Sequence, residues 1–221
     1  MANRVSLPKE LAGVEGHLKM APLYRVEQMR KGEFPPLDAK RSAVLVLLTP
    51  PKNGELALPL SLEWSLLLIK RSSYIGTHSA EMAFPGGKSE PGDKNFIETA
   101  CREANEELGV ERSKIEIIGS LTELFIPPSN FIIYPIVAID KGVGELKPNS
   151  TEVKFFTQVE LSTLNPQNAK IYNIETPSNG VVRAPGYLVG GHIVWGATAM
   201  IISELYLAIA SSTAEGVIGN L

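Results

Sequence analysis

Hydrophobic positions along this chain form short runs that predict β-strands and two stretches that predict helices. The runs are apolar, rich in β-branched residues and bounded by glycine, proline or asparagine, which is typical of strands. They lie at residues 42–48, 64–70, 115–125, 131–139, 152–159, 169–174 and 181–194. The last run contains Gly190-Gly191, where we expect it to turn back as a hairpin.

The stretch 95–108 has the pattern of an amphipathic helix with a start and a stop signal. Asn95 with Glu98 three residues later resembles a capping box, and Gly109 stands where a helix commonly ends. The apolar stripe consists of Ile97, Cys101, Ala104 and Leu108. A second helix is predicted over 198–210, and because it is apolar nearly all round, we expect it to be buried.

The residues before the first strand predict a separate element. Apolar side chains recur with helical spacing between positions 6 and 20, Pro22 ends that pattern, and Pro35-Pro36 marks a linker. The recurring residues are Leu7, Leu11, Val14 and Leu18. We therefore divide the chain into an N-terminal helical extension, residues 1–38, and one domain, residues 39–221.

The order of elements in the domain predicts its fold class. Strands, one embedded helix, more strands and a closing helix follow one another, which fits an α/β fold with a mixed sheet covered by helices on both faces. Loops are predicted at 50–61, which contains three prolines and a glycine, and at 72–92, which is rich in glycine and serine. Long loops in compact domains are often functional.

Composition narrows the classes of protein. The chain has 221 residues, of which 44% are hydrophobic, enough for one sizeable domain. The net charge is −3 and the isoelectric point about 5.7, so nothing indicates a nucleic-acid-binding surface. The single cysteine, Cys101, excludes an internal disulfide. Because no signal peptide is seen and the apolar stretches are too short to cross a bilayer, a cytoplasmic protein with no membrane partner is expected.

The segment Arg102-Glu103-Ala104-Asn105-Glu106-Glu107 carries the strongest chemical signal. On a helix, Glu103 and Glu107 lie one turn apart with Glu106 beside them, although carboxylates at this spacing repel each other. A helix that collects three such groups near the glycine pair Gly86-Gly87 is suited to a divalent cation. Carboxylate oxygens favour Mg²⁺ or Mn²⁺, and Mg²⁺ is usually shared with substrate phosphates.

This segment and the residues around it resemble the Nudix box. The matching pattern is Gly87, five residues, the acid Asp93, and then Arg102-Glu103-Ala104-x-Glu106-Glu107-x-Gly109-Val110. The family pattern has glutamate at the position of Asp93, and seven residues rather than eight before the arginine. The resemblance implies an α/β/α sandwich with a mixed central sheet, and an enzyme that hydrolyses nucleoside diphosphates linked to another group.

The residues upstream are similar to the branch of coenzyme A pyrophosphatases. The agreeing positions are Leu67, Leu68, Arg71, Ser72, His78 and Phe84-Pro85-Gly86-Gly87. Three positions depart from that signature, because Ile75, Gly76 and Ala80 stand in place of leucine, arginine and glycine. The resemblance implies hydrolysis of coenzyme A or acyl-coenzyme A to 3′,5′-ADP and a 4′-phosphopantetheine derivative.

The resemblance gives roles to residues of the box. Glu103, Glu106 and Glu107 are the candidate metal ligands, together with the carbonyl of Gly87. Arg102 is expected to orient these carboxylates through ion pairs, with Asp93 as its support or as a helix cap. Glu152 is the first candidate for the general base and Glu123 the second, and Glu103 or Glu107 is the alternative to both.

Candidate substrate-binding residues lie before the box. Arg71, with Lys70 beside it, is a candidate for phosphate because the arginine fork fits phosphate oxygens. Ser72 and His78 belong to the same matched segment. Phe84 is a candidate for stacking on adenine, as is Trp195, although aromatic residues more often belong to a core.

Two other functions stay open at this point. One is a Nudix hydrolase that acts on ADP-ribose, a dinucleotide or a nucleoside triphosphate. The other is a non-catalytic nucleotide-binding regulatory module on the same fold, because one fold hosts many functions. In each case the partner is a small nucleotide, and analogy with the family leaves a homodimer open.

Overall fold

The computed structural model describes residues 5–32, 34–51, 60–72, 80–177 and 179–218, with side chains to residue 212. Eleven strands and four α-helices occur in these ranges. The strands are β1 (Lys40–Thr49), β2 (Ser65–Arg71), β3 (Met82–Ala83), β4 (Gly86–Lys88), β5 (Ile115–Ser120), β6 (Leu124–Ile126), β7 (Phe131–Asp140), β8 (Val153–Glu160), β9 (Lys170–Thr176), β10 (Gly180–Val189) and β11 (His192–Trp195). The helices are α1 (Gly13–Met20), α2 (Val26–Arg30), α3 (Phe96–Leu108) and α4 (Gly196–Ile218).

The larger sheet is mixed and is organised around β1. Strand β7 pairs with β1 in parallel along nine residue pairs, and β4 and β2 pair with the other edge of β1 in antiparallel fashion. Strands β5 and β6 extend the sheet beyond β7, and β3 and β8 pair with β2. This arrangement confirms the predicted class, a mixed central sheet.

Alternating residues of β1 point into two separate cores, one on each face of the sheet. Leu45 and Leu47 pack with the apolar stripe of α3, whereas Val46 and Leu48 pack on the side of α4. All four are almost completely buried, and each buried aliphatic side chain stabilises the fold by about 1.5–3 kcal/mol. Helices therefore cover both faces, as the element order predicts.

Strands β9, β10 and β11 form a second, antiparallel sheet beside α4. The turn between β10 and β11 is at Gly190-Gly191, which confirms the predicted hairpin. Tyr187, Val189 and Val194 bury their side chains in the core on the α4 side. This small sheet is thereby fixed against the main one.

The prediction for the N-terminal helix is wrong in its length. Helix α1 begins at Gly13 rather than near residue 6, and its buried residues are Gly16, His17 and Met20. Leu11 and Val14, two of the residues with helical spacing, are exposed. The physical reason is contact with α4, where a Cβ at position 16 would lie 2.7 Å from the Cα of Glu204. The domain boundary near residue 38 stays a prediction.

Two further segments differ from the sequence prediction. The stretch 115–125 is divided into β5 and β6, and the loop predicted over 72–92 contains the short strands β3 and β4. Both short strands pair with the main sheet. None of the helices in the described ranges has the length and hydropathy that crossing a membrane requires.

Candidate active site

Caps at both ends fix helix α3. The side chain of Asn95 accepts a hydrogen bond from the Glu98 N–H at 3.0 Å, and Gly109 ends the helix in the left-handed conformation. The carboxylate of Glu98 accepts from the N–H of Lys94 at 2.9 Å, one residue before the position that a capping box uses. Both ends of the predicted helix are thus confirmed.

Glu107 is the central side chain of the site. It is 1% exposed, and its Oε2 accepts a hydrogen bond from the Gly86 N–H at 2.8 Å. Its Oε1 has no hydrogen-bond partner in the described structure and lies 3.6 Å from Nη1 of Arg71. Burial raises the pKa of Glu107 to about 7, against the opposing effect of Arg71 and the Gly86 N–H, and the charges of Glu103 and Glu152 raise it further.

Each glycine of the pair in β4 lies where a side chain would clash with a different neighbour. Gly86 has φ +152°, and a Cβ there would lie 2.6 Å from the Cα of Val44 in β1. A Cβ at Gly87 would lie 2.6 Å from Oε1 of Glu103, so the Glu103 carboxylate fills the space that this glycine leaves open. The glycines therefore bring backbone and carboxylate together.

Arg102 holds a network of anions and carbonyls at the outer side of the helix. Its Nε and Nη2 donate to the two carboxylate oxygens of Asp93, each at 3.0 Å, and Nη2 also donates to the Lys88 carbonyl. Its Nη1 donates to Glu103 at 2.9 Å and to Glu106 at 3.1 Å. These bonds hold the pKa of Asp93 well below its usual range. Asp93 thus supports Arg102, which in turn contacts two candidate ligands.

The donor set fits a hard divalent cation. Glu103 is largely buried and burial raises its pKa, whereas the side chain of Glu106 is 51% exposed. In the described ranges no three acidic, histidine or cysteine side chains are grouped to hold a metal ion, and Arg102 donates to two of the candidate ligands. The buried Oε1 of Glu107 and the Glu103 carboxylate, which lies against Gly87, are nevertheless oxygen atoms that a cation would satisfy.

The two candidate bases outside the helix have different neighbours. Glu152 stands just before β8, where its carbonyl accepts from the Ser72 N–H at 2.8 Å and its carboxylate influences Glu107. Glu123 is exposed and lies beside Tyr134, where it acts with burial to raise the pKa of that phenol. Of the two, Glu152 has the direct electrostatic coupling to Glu107.

The predicted substrate-binding residues fall in different environments. Arg71 contacts Glu107 and donates to the Gly86 carbonyl, and it lines a cavity next to the glycine pair. Ser72 donates through Oγ to the Ser150 carbonyl at 3.5 Å. Lys70 lies near Lys154 and Glu81, and burial together with Lys154 lowers its pKa. Phe84 is 1% exposed and forms part of the cavity wall. His78 lies outside the described residues.

The cavity beside the carboxylates was missed by the sequence analysis. Its volume is about 410 Å³, within the usual range for small-molecule sites. Its lining combines Arg71 and the glycine pair with Tyr24, Asn179 and residues at the start of α4. No local motif joins these distant segments, so only the tertiary contacts reveal that they share a cavity.

Comparison with known proteins now gives the family. The NUDIX domain profile matches residues 39–174, more than half of the chain. This chain belongs to the Nudix family. The match covers α3 with the three glutamates that are candidate metal ligands, and also the glycine pair.

Curated relatives are hydrolases of the same family at modest identity. The uncharacterized Nudix hydrolase NudL of Photorhabdus laumondii is 33% identical over 141 residues, which are 64% of this chain and 75% of that protein. The mitochondrial coenzyme A diphosphatase NUDT8 of Mus musculus is 35% identical over 150 residues, 65% of this chain and 69% of that protein. The mitochondrial Nudix hydrolase 15 of Arabidopsis thaliana is 33% identical, and the match spans 56% of its length.

A solved structure supports the Nudix fold over most of the chain. The MutT/nudix family protein from Enterococcus faecalis matches with a TM-score of 0.51 and 18% identity, over 86% of this chain and 70% of that chain. The likeness concerns the fold alone. The cytoplasmic location, the homodimer and the roles of the individual site residues stay predictions.

Proposed function

We propose that this Nudix protein hydrolyses the diphosphate bridge of coenzyme A or of an acyl-coenzyme A. The products would be 3′,5′-ADP and a 4′-phosphopantetheine derivative. Support comes from the segment 67–87, which is similar to coenzyme A pyrophosphatases, and from relatives that carry the name coenzyme A diphosphatase.

The observation that carries the proposal is the state of Glu107. A buried carboxylate oxygen without a hydrogen-bond partner is costly, and the pKa of this group is raised to about 7. Structural carboxylates are normally satisfied, so an unsatisfied one beside Arg71 and a glycine cradle points to a group that is completed by a ligand.

Residues of the chain have separate tasks in the proposed reaction. Glu103, Glu106 and Glu107, with the Gly87 carbonyl, would hold Mg²⁺ or Mn²⁺, which when bound neutralises diphosphate charge and lowers the pKa of coordinated water. Arg71 would bind a phosphate oxygen at the entrance of the cavity. Arg102 would keep Glu103 and Glu106 in place.

The proposed hydrolysis needs a base that takes a proton from the attacking water. Water adds to one phosphorus, the bridging P–O bond breaks, and the bridging oxygen leaves on the other phosphate. The proton that water gives up would pass to a carboxylate. We place Glu152 first in this role, ahead of Glu123, because its charge acts on Glu107.

The test is a product assay on coenzyme A with Mg²⁺ or Mn²⁺, followed by separation of 3′,5′-ADP. In the Glu106→Gln/Glu107→Gln double variant we expect a loss larger than the roughly 10- to 100-fold that removal of an outer partner causes. Glu98→Gln is the matched control on the same helix, since its glutamine still accepts from Lys94, and we expect its activity to be unchanged.

The possible results distinguish a wrong substrate from a wrong reaction. Turnover of ADP-ribose or a dinucleotide, without release of 3′,5′-ADP from coenzyme A, would replace the substrate and keep the hydrolase. Near-native hydrolysis by the double variant would contradict the ligand assignment. Binding of coenzyme A in calorimetry without turnover of any diphosphate would favour a regulatory module.

A further inference from the structure

We propose that Tyr24, in the N-terminal extension, is a specificity-determining residue that contacts the group at the far end of the substrate from the diphosphate. The inference rests on the proposed diphosphate hydrolysis. It adds to that proposal a recognition element located outside the region that matches the family.

The residues that line the cavity lie partly inside and partly outside the range that matches the family. The catalytic end of the cavity consists of Arg71, Gly86, Gly87 and Lys88, all of which lie inside the matched residues 39–174. Other lining residues lie before or after that match, among them Pro22, Tyr24, Arg25, Thr176, Asn179, Val182, Trp195 and Met200. Tyr24 and Arg25 form the far end, because Arg25 donates to the Phe125 carbonyl of β6, and β7 and β1 lie between β6 and β4 in the sheet. The catalytic end therefore belongs to the family domain, whereas Tyr24 and Arg25 come from a segment outside it.

Tyr24 is held in a defined position by its neighbours. It lies in a 3₁₀ helix, Leu23–Arg25, that packs against β10. The Asn179 side chain donates to the Tyr24 hydroxyl at 3.2 Å, which joins the extension to the turn between β9 and β10. Nη1 of the buried Arg25 donates to the Phe125 carbonyl at 3.1 Å, which joins it to β6. The far wall is thus assembled, and its position does not depend on a bound molecule.

The chemistry of the wall selects the kind of group that fits. Apart from its charged residues, the wall presents the apolar side chains of Phe131, Ile133, Val182, Trp195 and Met200. The guanidinium of Arg25 is engaged by a carbonyl, and the cations Arg71 and Lys88 lie at the catalytic end. Because burying an uncompensated charge is costly, the far end suits an uncharged, largely apolar group such as an acyl chain and not a phosphorylated nucleotide.

Steady-state kinetics on two substrates tests the role of Tyr24. We expect Tyr24→Ala to raise the KM for octanoyl-coenzyme A by roughly fivefold or more while the KM for coenzyme A and both kcat values change less than about twofold. Tyr24→Phe keeps the ring and is expected to stay near wild type. Leu23→Ala is the matched control, because Leu23 has the same 47% exposure and does not line the cavity.

The result that overturns the inference is an equal effect on both substrates or no effect on either. Since Tyr24 is 47% exposed, the alanine variant is expected to fold, and circular dichroism checks this. A change in kcat shared by all substrates would indicate a merely structural role for Tyr24.

A binding measurement separates this inference from the proposed function. The chain has two tryptophans, of which Trp195 lines the cavity and Trp64 is completely buried elsewhere in the core. In buffer with a chelator, where hydrolysis is not needed, octanoyl-coenzyme A should change the fluorescence of the wild type but not of Trp195→Phe. The change should require a higher ligand concentration in Tyr24→Ala.

Failure of the proposed hydrolysis and failure of the recognition role of Tyr24 give different results in these experiments. If the wild type cleaves no diphosphate and the Trp195 signal still depends on Tyr24, the proposed hydrolysis fails and the recognition role stands. If octanoyl-coenzyme A is hydrolysed but neither its KM nor the Trp195 signal depends on Tyr24, the recognition role fails and the hydrolysis stands.

Discussion

At the scale of single residues, Glu107 shows how a functional group can be costly to the fold. Its carboxylate is buried, and one of its oxygens has no hydrogen-bond partner in the described structure. Arg71, at 3.6 Å, only partly compensates, since burial still raises the pKa of Glu107 to about 7. A group of this kind suits a site that is completed by a ligand, and it destabilises the free protein.

The first prediction concerns the stability of Glu107→Gln in metal-free buffer. An acid whose pKa is raised in the folded state costs stability as pH rises from its ordinary value of about 4.3 through about 7, and a shift of this size costs about 3 kcal/mol. Glutamine keeps an acceptor for the Gly86 N–H and carries no charge. We expect the variant to be more stable than wild type at pH 8, and this advantage to shrink to about 1 kcal/mol or less at pH 5, as measured by urea unfolding.

Divalent cations provide the control for this prediction. Mg²⁺ or Mn²⁺ should raise the melting temperature of the wild type, because a ligand that binds only the folded state stabilises it, and should raise it much less in Glu107→Gln. An equal stability difference at both pH values would contradict the assignment of the raised pKa.

The second prediction uses the two adjacent glycines as a matched pair. A methyl group at Gly87 meets the end of the Glu103 side chain, which can move, so Gly87→Ala should lower activity while the melting temperature stays close to wild type. A methyl group at Gly86 meets the backbone of β1, which cannot move cheaply, so Gly86→Ala should destabilise the protein by about 1–3 kcal/mol. Thermal unfolding and coenzyme A hydrolysis on both variants check this, and equal unfolding of the two would contradict it.

At the scale of elements, locally encoded features could be predicted and features set by tertiary contact could not. Helix α3 carries its own signals, with Asn95 at its start and Gly109 at its end, and both caps are observed. Helix α1 has an apolar pattern that favours Leu11 and Val14, yet the structure buries Gly16 and His17. The close contact at Gly16 and the buried hydrogen bond of His17 depend on α4, which is remote in sequence.

The candidate site likewise has one part that could be predicted from the sequence and one part that could not. The carboxylates of α3 and the glycine pair lie in one stretch of the chain, so their spacing and the family resemblance could indicate them. The cavity wall combines Tyr24, Asn179 and Trp195, which are separated by up to most of the chain. Proximity of this kind follows from packing, which the pattern of a single sequence does not encode.

The third prediction concerns the cap of α3. Asn95→Ala removes the acceptor for the Glu98 N–H and should cost about 1 kcal/mol, which in a protein of this size lowers the melting temperature by about 2–4 °C. Asn95→Asp keeps an acceptor and is the matched control. Because the cap lies at the opposite end of the helix from Glu107, kcat at 25 °C should be unchanged, and a large loss of kcat would contradict this separation.

At the scale of the whole molecule, the N-terminal extension is part of the structure that holds the cavity together. Helix α1 packs on α4, where Ser203 Oγ donates to the Gly16 carbonyl at 2.7 Å. The first residues of α4 form one part of the cavity wall, and Tyr24 of the extension forms another. The extension is thus connected to the site through α4 as well as directly.

A buried hydrogen bond between a histidine and a carboxylate is the centre of this contact. Nε2 of His17 lies 2.8 Å from Oε2 of Glu204, and Thr122 donates to Oε1 of Glu204 through its hydroxyl at 2.6 Å and its N–H at 3.1 Å. Both members of the pair are at most 1% exposed. Burial acts to raise the pKa of Glu204, but the hydrogen bonds from His17 and Thr122 outweigh it and lower that pKa.

The fourth prediction follows from this pair. His17→Ala leaves the buried Glu204 carboxylate with Thr122 as its remaining donor in the described contacts and should destabilise the protein by about 3 kcal/mol in urea unfolding at pH 7. Lys31→Ala, which breaks the exposed pair with Glu27 in the same extension, is the control and should change stability little.

The same pair also makes stability depend on pH. Since the pKa of Glu204 is lowered, the stability that this carboxylate contributes is complete above its ordinary pKa of about 4.3 and is lost as the pH falls below that value. The wild type should therefore lose stability on acidification more steeply than Glu204→Gln, and if His17→Ala is as stable as Lys31→Ala, the pair does not hold the extension in place.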